Sequence, residues 1–462
     1  MPSTNRPDPQ TLRARIDGAG FEGRIIGPTD ADYDAARTVL FGGIDRRPAF
    51  VAKVANAADV VRLVRLAKET GAELAVRSGG HSSAGHSASE GGIVIDVRGL
   101  NAVEIDAEAR TAWAGTGATA KAFSVAAAAH GLAVGFGDAG SVGLGGITLG
   151  GGVGYLTRKH GLTIDSLLAA EVATADGRIV VADAGNEPEL FWAIRGGGGN
   201  FGVVTKVKFR LHPLSGITGG LLILPATAAT ISGFIAAAEA APDEVSTIAN
   251  VMPAPPMPFL PAELHGSLVI FAMLVHSGVP ADADAALAPF RALAKPHADM
   301  LRPMALPEIY PPDDPDYHPT AVAQTMFMDT VDEALAQHII DALKASTAPM
   351  RVVQLRVLGG AAARIPADAT AYAHRKSRIM ANVAAFFQGD ADRAVREREV
   401  ADLARSLRQS DLGAYVNFLG AEPEERVRAA YPGRTWDRLR AAKRQYDPDN
   451  LFRLNQNIPP AA

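Results

Sequence analysis

Cysteine is absent from the 462 residues of this chain. That absence excludes structural disulfides, zinc–thiolate and iron–sulfur centres, and a thiol nucleophile. An excess of one charge is missing too. The 45 Lys and Arg against 50 Asp and Glu leave a formal charge of −5, which gives no electrostatic reason to expect nucleic acid as a partner. Long apolar runs are lacking as well. The one stretch of membrane length without formal charge, 211–238, is interrupted by Pro213, Gly216, Gly219, Gly220 and Pro225. It reads as a strand over Ile217–Leu224, a turn at Pro225 and a helix through Ala238 rather than a membrane span. The opening residues carry no apolar segment, so no secretory leader is expected and the reading is cytoplasmic. Walker A, HExxH and GxSxG patterns do not occur, and no metal site is expected.

A composition of 48 % hydrophobic and 21 % charged residues is that of a globular chain, long enough for two large domains. The first third alternates strand and helix signals. Phe50–Val54 reads as a strand, and Asn56 caps a helix over Ala57–Thr70 that buries Val60, Leu63, Val64 and Ala67 and stops at Gly71. Leu74–Val76, Ile93–Asp96, Val103–Asp106 and Thr111–Ala114 follow as short strands, and Thr119–His130 as an alanine-rich helix. After His212-Pro213 the pattern changes. Strands at 217–224, 246–252, 267–275, 351–358, 379–387 and 414–418, interleaved with helices near 281–295, 329–345 and 391–409, predict an antiparallel α+β domain. The Pro/Asp stretch 310–318 reads as a surface loop.

Glycine is concentrated where chemistry is expected. Residues 137–154 hold nine glycines in eighteen positions, and the strip Arg77–Gly85 repeats that character with an imidazole added. Glycines let backbone N–H groups approach an anion and form nests around a pyrophosphate, so two such loops suggest a large phosphorylated cofactor between them. A third cluster, Gly197–Gly202, matches GxGxxG formally. A helix-like segment precedes it and a strand-like one follows, the reverse of the dinucleotide fingerprint, so a nicotinamide domain is rejected.

Four segments, RSGGHS at 77–82, VGLGGITLGGGVG at 142–154, LFWAIRGGGGNFGVVT at 190–205 and YDPDNLFRLNQN at 446–457, resemble in order and wording the FAD-linked oxidases of the vanillyl-alcohol oxidase superfamily, in the berberine-bridge-enzyme-like branch. The resemblance implies a two-domain α+β fold. Residues 1–213, completed by 419–462, would bind FAD, and 214–418 would form an antiparallel-sheet substrate domain. It also implies a covalent bond from His81 to the flavin, which suits a neutral imidazole as nucleophile. A second, cysteinyl bond found in many members falls on Ala139, so attachment through one histidine is all this sequence allows.

Family contacts carried onto matching positions fall on Arg77, Ser78, Gly79, Gly80 and Ser82 in the first loop. In the second they fall on Gly137, Val142, Gly143, Gly146, Thr148, Gly151 and Gly152. Asp165, Val204, Asn455 and Asn457 complete the set, although Asp165 reads equally as a helix cap and the two asparagines as turn residues. Gly137 takes the position at which a small residue leaves dioxygen room beside the flavin. By the same resemblance, Tyr415 is the base or substrate anchor of alcohol-oxidising members and Asn417 its neighbour. Some singly attached bacterial members lack that tyrosine, which tilts the expectation toward an alcohol. Alternation along Val352–Leu358 puts Gln354 and Arg356 on one strand face as substrate-lining candidates, with Tyr372 and His374 beside them. The expected partners are a small-molecule substrate and dioxygen, reduced to hydrogen peroxide, in a monomer or homodimer. A dehydrogenase with another acceptor and a flavin-holding scaffold without turnover remain as alternatives.

Overall fold

The computed structural model describes residues 8–17, 20–389 and 391–462. Part of the N-terminal stretch read above for a leader lies outside them. The helix Ala57–Thr70 forms where its periodicity predicts: Asn56 Oδ1 accepts from the Asp59 N–H at 2.9 Å, and Gly71 ends it at φ 69°. Capping of this kind is worth about 1 kcal/mol. The helix packs Val60, Leu63, Val64 and Ala67 against Phe50, Ala52, Ile93 and Ile95. Those residues belong to a four-stranded sheet ordered Arg24–Ile26, Phe50–Lys53, Ile93–Asp96, Leu74–Arg77, parallel except at its first pair.

A second, five-stranded antiparallel sheet runs Val103–Asp106, Thr111–Gly115, Val203–Arg210, Leu167–Ala173, Ile179–Asp183. Beneath it Phe123, Phe136 and Phe209 pack edge to face, with centroids 5.2–5.7 Å apart. Each such pair contributes about 0.5–1.5 kcal/mol beyond area burial.

The third sheet is large and antiparallel, with its main path Ala298–Asp299, Ile217–Pro225, Leu268–His276, Val245–Pro253, Met350–Val357, Ile379–Phe387, Thr320–Met328. One face is apolar: Val353, Leu355, Ala381 and Val383 pack on the helices Ala228–Ala240, Glu333–Ala345 and Arg393–Ser406. The opposite face carries Gln354, Arg356, Asn382 and Ala384, as strand alternation requires.

Two expectations need correction. Residues 414–418 are not a strand: Val416–Phe418 is a single 3₁₀ turn. Strand Thr320–Met328, which pairs along its whole length with Ile379–Phe387, was not among the expected strands. Its sequence TAVAQTMFM follows the Pro/Asp loop and lacks clean alternation. The stretch 211–238 divides as expected into strand and helix, and no helix among the described residues is long and apolar enough to cross a membrane.

Candidate functional site

Four segments distant in sequence close around one cavity of about 460 Å³. The first glycine loop supplies Ser78–Ser83, His86 and Ser87, and the second supplies Gly137–Ala139, Val142, Gly143 and Gly145–Ile147. The third cluster adds Gly197–Asn200, Gly202, Val203 and Val204, and the tail adds Phe452 and Leu454–Gln456. The large sheet faces it with Ala321, Ala323, Asn382, Ala384 and Phe386, and the turn after Tyr415 adds Val416–Leu419.

The glycines have identifiable work. A Cβ on Gly79 would lie 2.3 Å from the Gly143 nitrogen and one on Gly143 2.0 Å from Ser78 Oγ, so the first two loops abut backbone to backbone. Gly146 and Gly199 instead meet open space, leaving room against bare backbone for a ligand. Asn455 Oδ1 is buried without a donor, an acceptor waiting for a ligand N–H or O–H. No Lys or Arg is among the described lining residues, so phosphate oxygens would rest on backbone N–H groups and hydroxyls. These features fit FAD.

His81 stands in the cavity wall with Nε2 3.2 Å from Ser141 Oγ. Burial pushes its pKa below the ordinary histidine value, only partly offset by Asp138, which keeps the imidazole neutral. His86 also lines the wall; burial, with Arg46 nearby, pushes it down to about 4.

Of the positions expected to touch the cofactor, Ser78, Gly79, Gly80, His81, Ser82, Gly137, Val142, Gly143, Gly146, Val204 and Asn455 line this cavity. The others do not. The Arg77 guanidinium turns away to donate to the carbonyls of Ala36 and Thr38. Asp165 is sealed in a two-pronged ion pair with Arg375, both bonds 2.8 Å, and also accepts from the Leu162 N–H, which makes it a structural cap. Thr148 is fully buried behind the wall, Gly151 and Gly152 sit against Tyr415, and Asn457 lies beyond the tail's contact.

The catalytic pair divides. Asn417 lines the cavity, donating from Nδ2 to the Ile147 carbonyl at 3.2 Å and to Tyr415 at 3.0 Å. Tyr415 itself is only 1 % exposed and sits behind the wall, its ring among Val153, Phe327 and Tyr372. Its oxygen accepts from Gly152 N–H at 3.0 Å, Val153 N–H at 3.3 Å and Asn417. Burial pushes the phenol above its ordinary value, outweighing these donors and the charge of Arg356. A phenol so held ties down the 151–153 loop, and Phe418, which has no hydroxyl, lines the cavity beside it.

The substrate-lining candidates are corrected as well. Gln354 is engaged with Asn250 at 2.9 Å, and Arg356 reaches the cavity only through Asp138, at 2.6 Å. His374 bonds the Ala430 carbonyl at 3.1 Å and packs on Phe327, and Tyr372 is buried beside it. Asp138, Asn382 and Phe418 were missed. Asp138 is the one acid in the second glycine loop, a signal visible in the sequence.

Residues 48–183 match the model of a FAD binding domain and residues 414–459 that of a berberine and berberine-like domain. The chain is 30 % identical to (R)-6-hydroxynicotine oxidase of Paenarthrobacter nicotinovorans, over 95 % of this chain and 97 % of that protein. It belongs to the berberine-bridge-enzyme-like family of FAD-linked oxidoreductases. Solved structures superpose over nearly the whole chain. The 6-hydroxy-D-nicotine oxidase of Arthrobacter nicotinovorans gives a TM-score of 0.82 at 28 % identity, covering 96 % of this chain and 99 % of its own. A xylooligosaccharide oxidase from Myceliophthora thermophila with bound xylobiose gives 0.84 at 22 %, covering 98 % and 99 %, a likeness of fold. As a berberine-bridge-enzyme-like chain the protein has the α+β architecture of that family and is an FAD-linked oxidoreductase.

Proposed function

We propose that this oxidoreductase is an oxidase of a small alcohol or amine, holding FAD through a single bond from His81 and passing electrons to dioxygen. One observation carries the reading: a half-buried imidazole, its pKa held below the ordinary histidine value by burial, stands in the wall of a cavity bounded by glycine-rich backbone. Bound flavin supplies the two-electron acceptor for a hydride. The chain's own residues do the rest. Gly146 and Gly199 leave bare backbone open to the cofactor, Asn455 offers it an acceptor, and Asn417 fixes the second loop through Ile147. The Ala321, Ala323, Ala384 and Phe386 wall excludes water and leaves a flat apolar space for substrate. Residues 1–213 with 419–462 form the cofactor unit in this reading and 214–418 the substrate unit; the two smaller sheets draw on the former and the large sheet on the latter.

Dioxygen as acceptor is favoured by Gly137. Its φ is not in the left-handed region, so no turn demands glycine there, and an added Cβ would press on Ile147 Cδ1 at 3.3 Å beside the cavity. Gly137→Val should leave substrate reduction of the flavin intact and suppress peroxide release; unchanged peroxide would remove this support. The primary test is acid precipitation of the purified protein. Yellow absorbance should stay in the wild-type pellet and be lost in His81→Ala, and a colourless wild-type pellet overturns the covalent reading.

A further inference from the structure

Among the described residues that line the cavity, Asp138 is the one acid, and no Lys or Arg accompanies it. Its Oδ2 accepts from Arg356 Nη2 at 2.6 Å, while the side chain keeps 35 % exposure and no donor among the described residues reaches Oδ1. Two other buried ion pairs here are closed on both sides. Lys443 with Asp447 is 0 % and 0 % exposed, and Arg375 with Asp165 0 % and 5 %. Asp138 is instead held by one oxygen and open at the other.

What holds it is rigid. Arg356 is 4 % exposed, donates from Nε and Nη2 to Gln354 Oε1 at 2.9 and 2.8 Å, and lies over the Phe418 ring at 5.3 Å. Gln354 donates onward to Asn250 at 2.9 Å, and Asn250 to the Phe271 carbonyl at 3.0 Å. The relay crosses three adjacent strands and ends at the carboxylate of the second glycine loop, which lines the cavity. On the next strand Asn382, in register with Gln354, presents a buried Oδ1 with no donor.

We propose that Asp138 is the proton acceptor for the substrate, taking over the role that Tyr415 cannot fill from behind the wall. This rests on the oxidase reading above. The hydroxyl O–H bond breaks with its proton going to Asp138 Oδ1. The adjacent C–H bond breaks with its electron pair leaving as hydride to FAD. The substrate becomes a carbonyl compound, and dioxygen removes the two electrons, with two protons, as hydrogen peroxide. Asn382 accepts a second donor, so the preferred substrate is a neutral or cationic molecule with a second O–H or N–H, and a carboxylate there is repelled. The groups facing Asp138 are Arg356 from the sheet, His81 from the first loop, and Tyr155 and Tyr310 beyond it. His81, neutral by burial, leaves Arg356 as its cationic neighbour among them.

The test uses Asp138→Asn, which keeps an acceptor for Arg356 and removes the basicity, with Asp138→Glu as the conservative rescue. The alcohol that bleaches the wild-type flavin fastest is the substrate. Flavin reduction should fall about 10²–10⁴-fold in Asp138→Asn, lose the wild type's rise with pH, and recover in part in Asp138→Glu. Sulfite, which bleaches oxidised flavin by adding to it as an anion, gives a readout free of turnover. Its Kd should tighten about tenfold or more in Asp138→Asn as a repelling charge is removed. Reduction rate and pH profile matching wild type, or an unchanged sulfite Kd, overturn the proposal and leave Asp138 a strut between sheet and loop. If Asp138→Asn fails to fold, Asp138→Ser, which also removes the charge and the base, decides by the same two readouts, an unmoved pH profile and sulfite Kd counting against the proposal. A wild type without flavin is a failure of the oxidase reading and is recognised by colour alone.

Discussion

Replacing Lys443 with methionine should cost far more than any surface change in this protein. Its ammonium is completely buried and donates to the Asn200 carbonyl at 2.8 Å, the Phe452 carbonyl at 2.9 Å and Asp447 Oδ2 at 2.7 Å. Burial pulls its pKa down, and Asp447 resists that pull. Asp447 in turn accepts the N–H groups of Leu451 and Phe452, each at 2.8 Å. Lys443→Met leaves a carboxylate in the interior with two N–H donors and no counter-charge. Breaking a buried pair from one side costs about 3–5 kcal/mol, and the two orphaned carbonyls lie within that figure rather than on top of it. Asn200 belongs to the third glycine cluster and Phe452 to the tail, both in the cavity wall, so flavin retention should fall together with stability. Urea unfolding followed by near-ultraviolet circular dichroism measures the loss. Adding Asp447→Asn removes the stranded charge while keeping an acceptor, and should restore about 1–3 kcal/mol of it. The reasoning is refuted if Lys443→Met stays within about 1 kcal/mol of wild type, or if the second substitution only adds to the damage.

Tyr415→Phe orphans three N–H donors and should lower stability by about 1–3 kcal/mol in thermal unfolding. It should also leave the pH profile of flavin reduction where the wild type has it, since the phenol is not the base. The stacked imidazoles of His160 and His212, centroids 4.1 Å apart, are both held below their ordinary value by burial, His160 at about 4. Because the folded values lie below the unfolded 6.5, the stability they contribute is present above that pH. It is lost as pH falls from there toward about 4, so Tm should drop over that window and drop less in His160→Gln. Asn56→Ala should cost about 1 kcal/mol in urea unfolding without altering flavin content.

The sequence displayed what is local. The helix Ala57–Thr70 carries its cap, its stripe and its stop within sixteen consecutive residues, and the glycine loops announced a close approach of backbone to ligand. It hid what depends on partners far along the chain. Arg77 sits beside the first loop in sequence, yet its hydrogen bonds go to Ala36 and Thr38. Asp165 looked like a cofactor contact or a local cap until Arg375, 210 residues away, turned up against it. The three atoms that occupy the Tyr415 hydroxyl are equally invisible in a tyrosine next to an asparagine motif. Asp138 was overlooked for another reason: the partner that holds it, Arg356, lies on a strand more than two hundred residues later.

The wall of the cavity is assembled from residues as far apart as Leu40 and Gln456. A nascent chain that has emerged only through the first two sheets therefore exposes three glycine-rich loops with no ligand and no closing tail. The cavity wall is complete only once residue 456 is in place, and the Lys443–Asp447 clasp, bonded to Asn200 and Phe452, is what ties that last segment to the third glycine cluster.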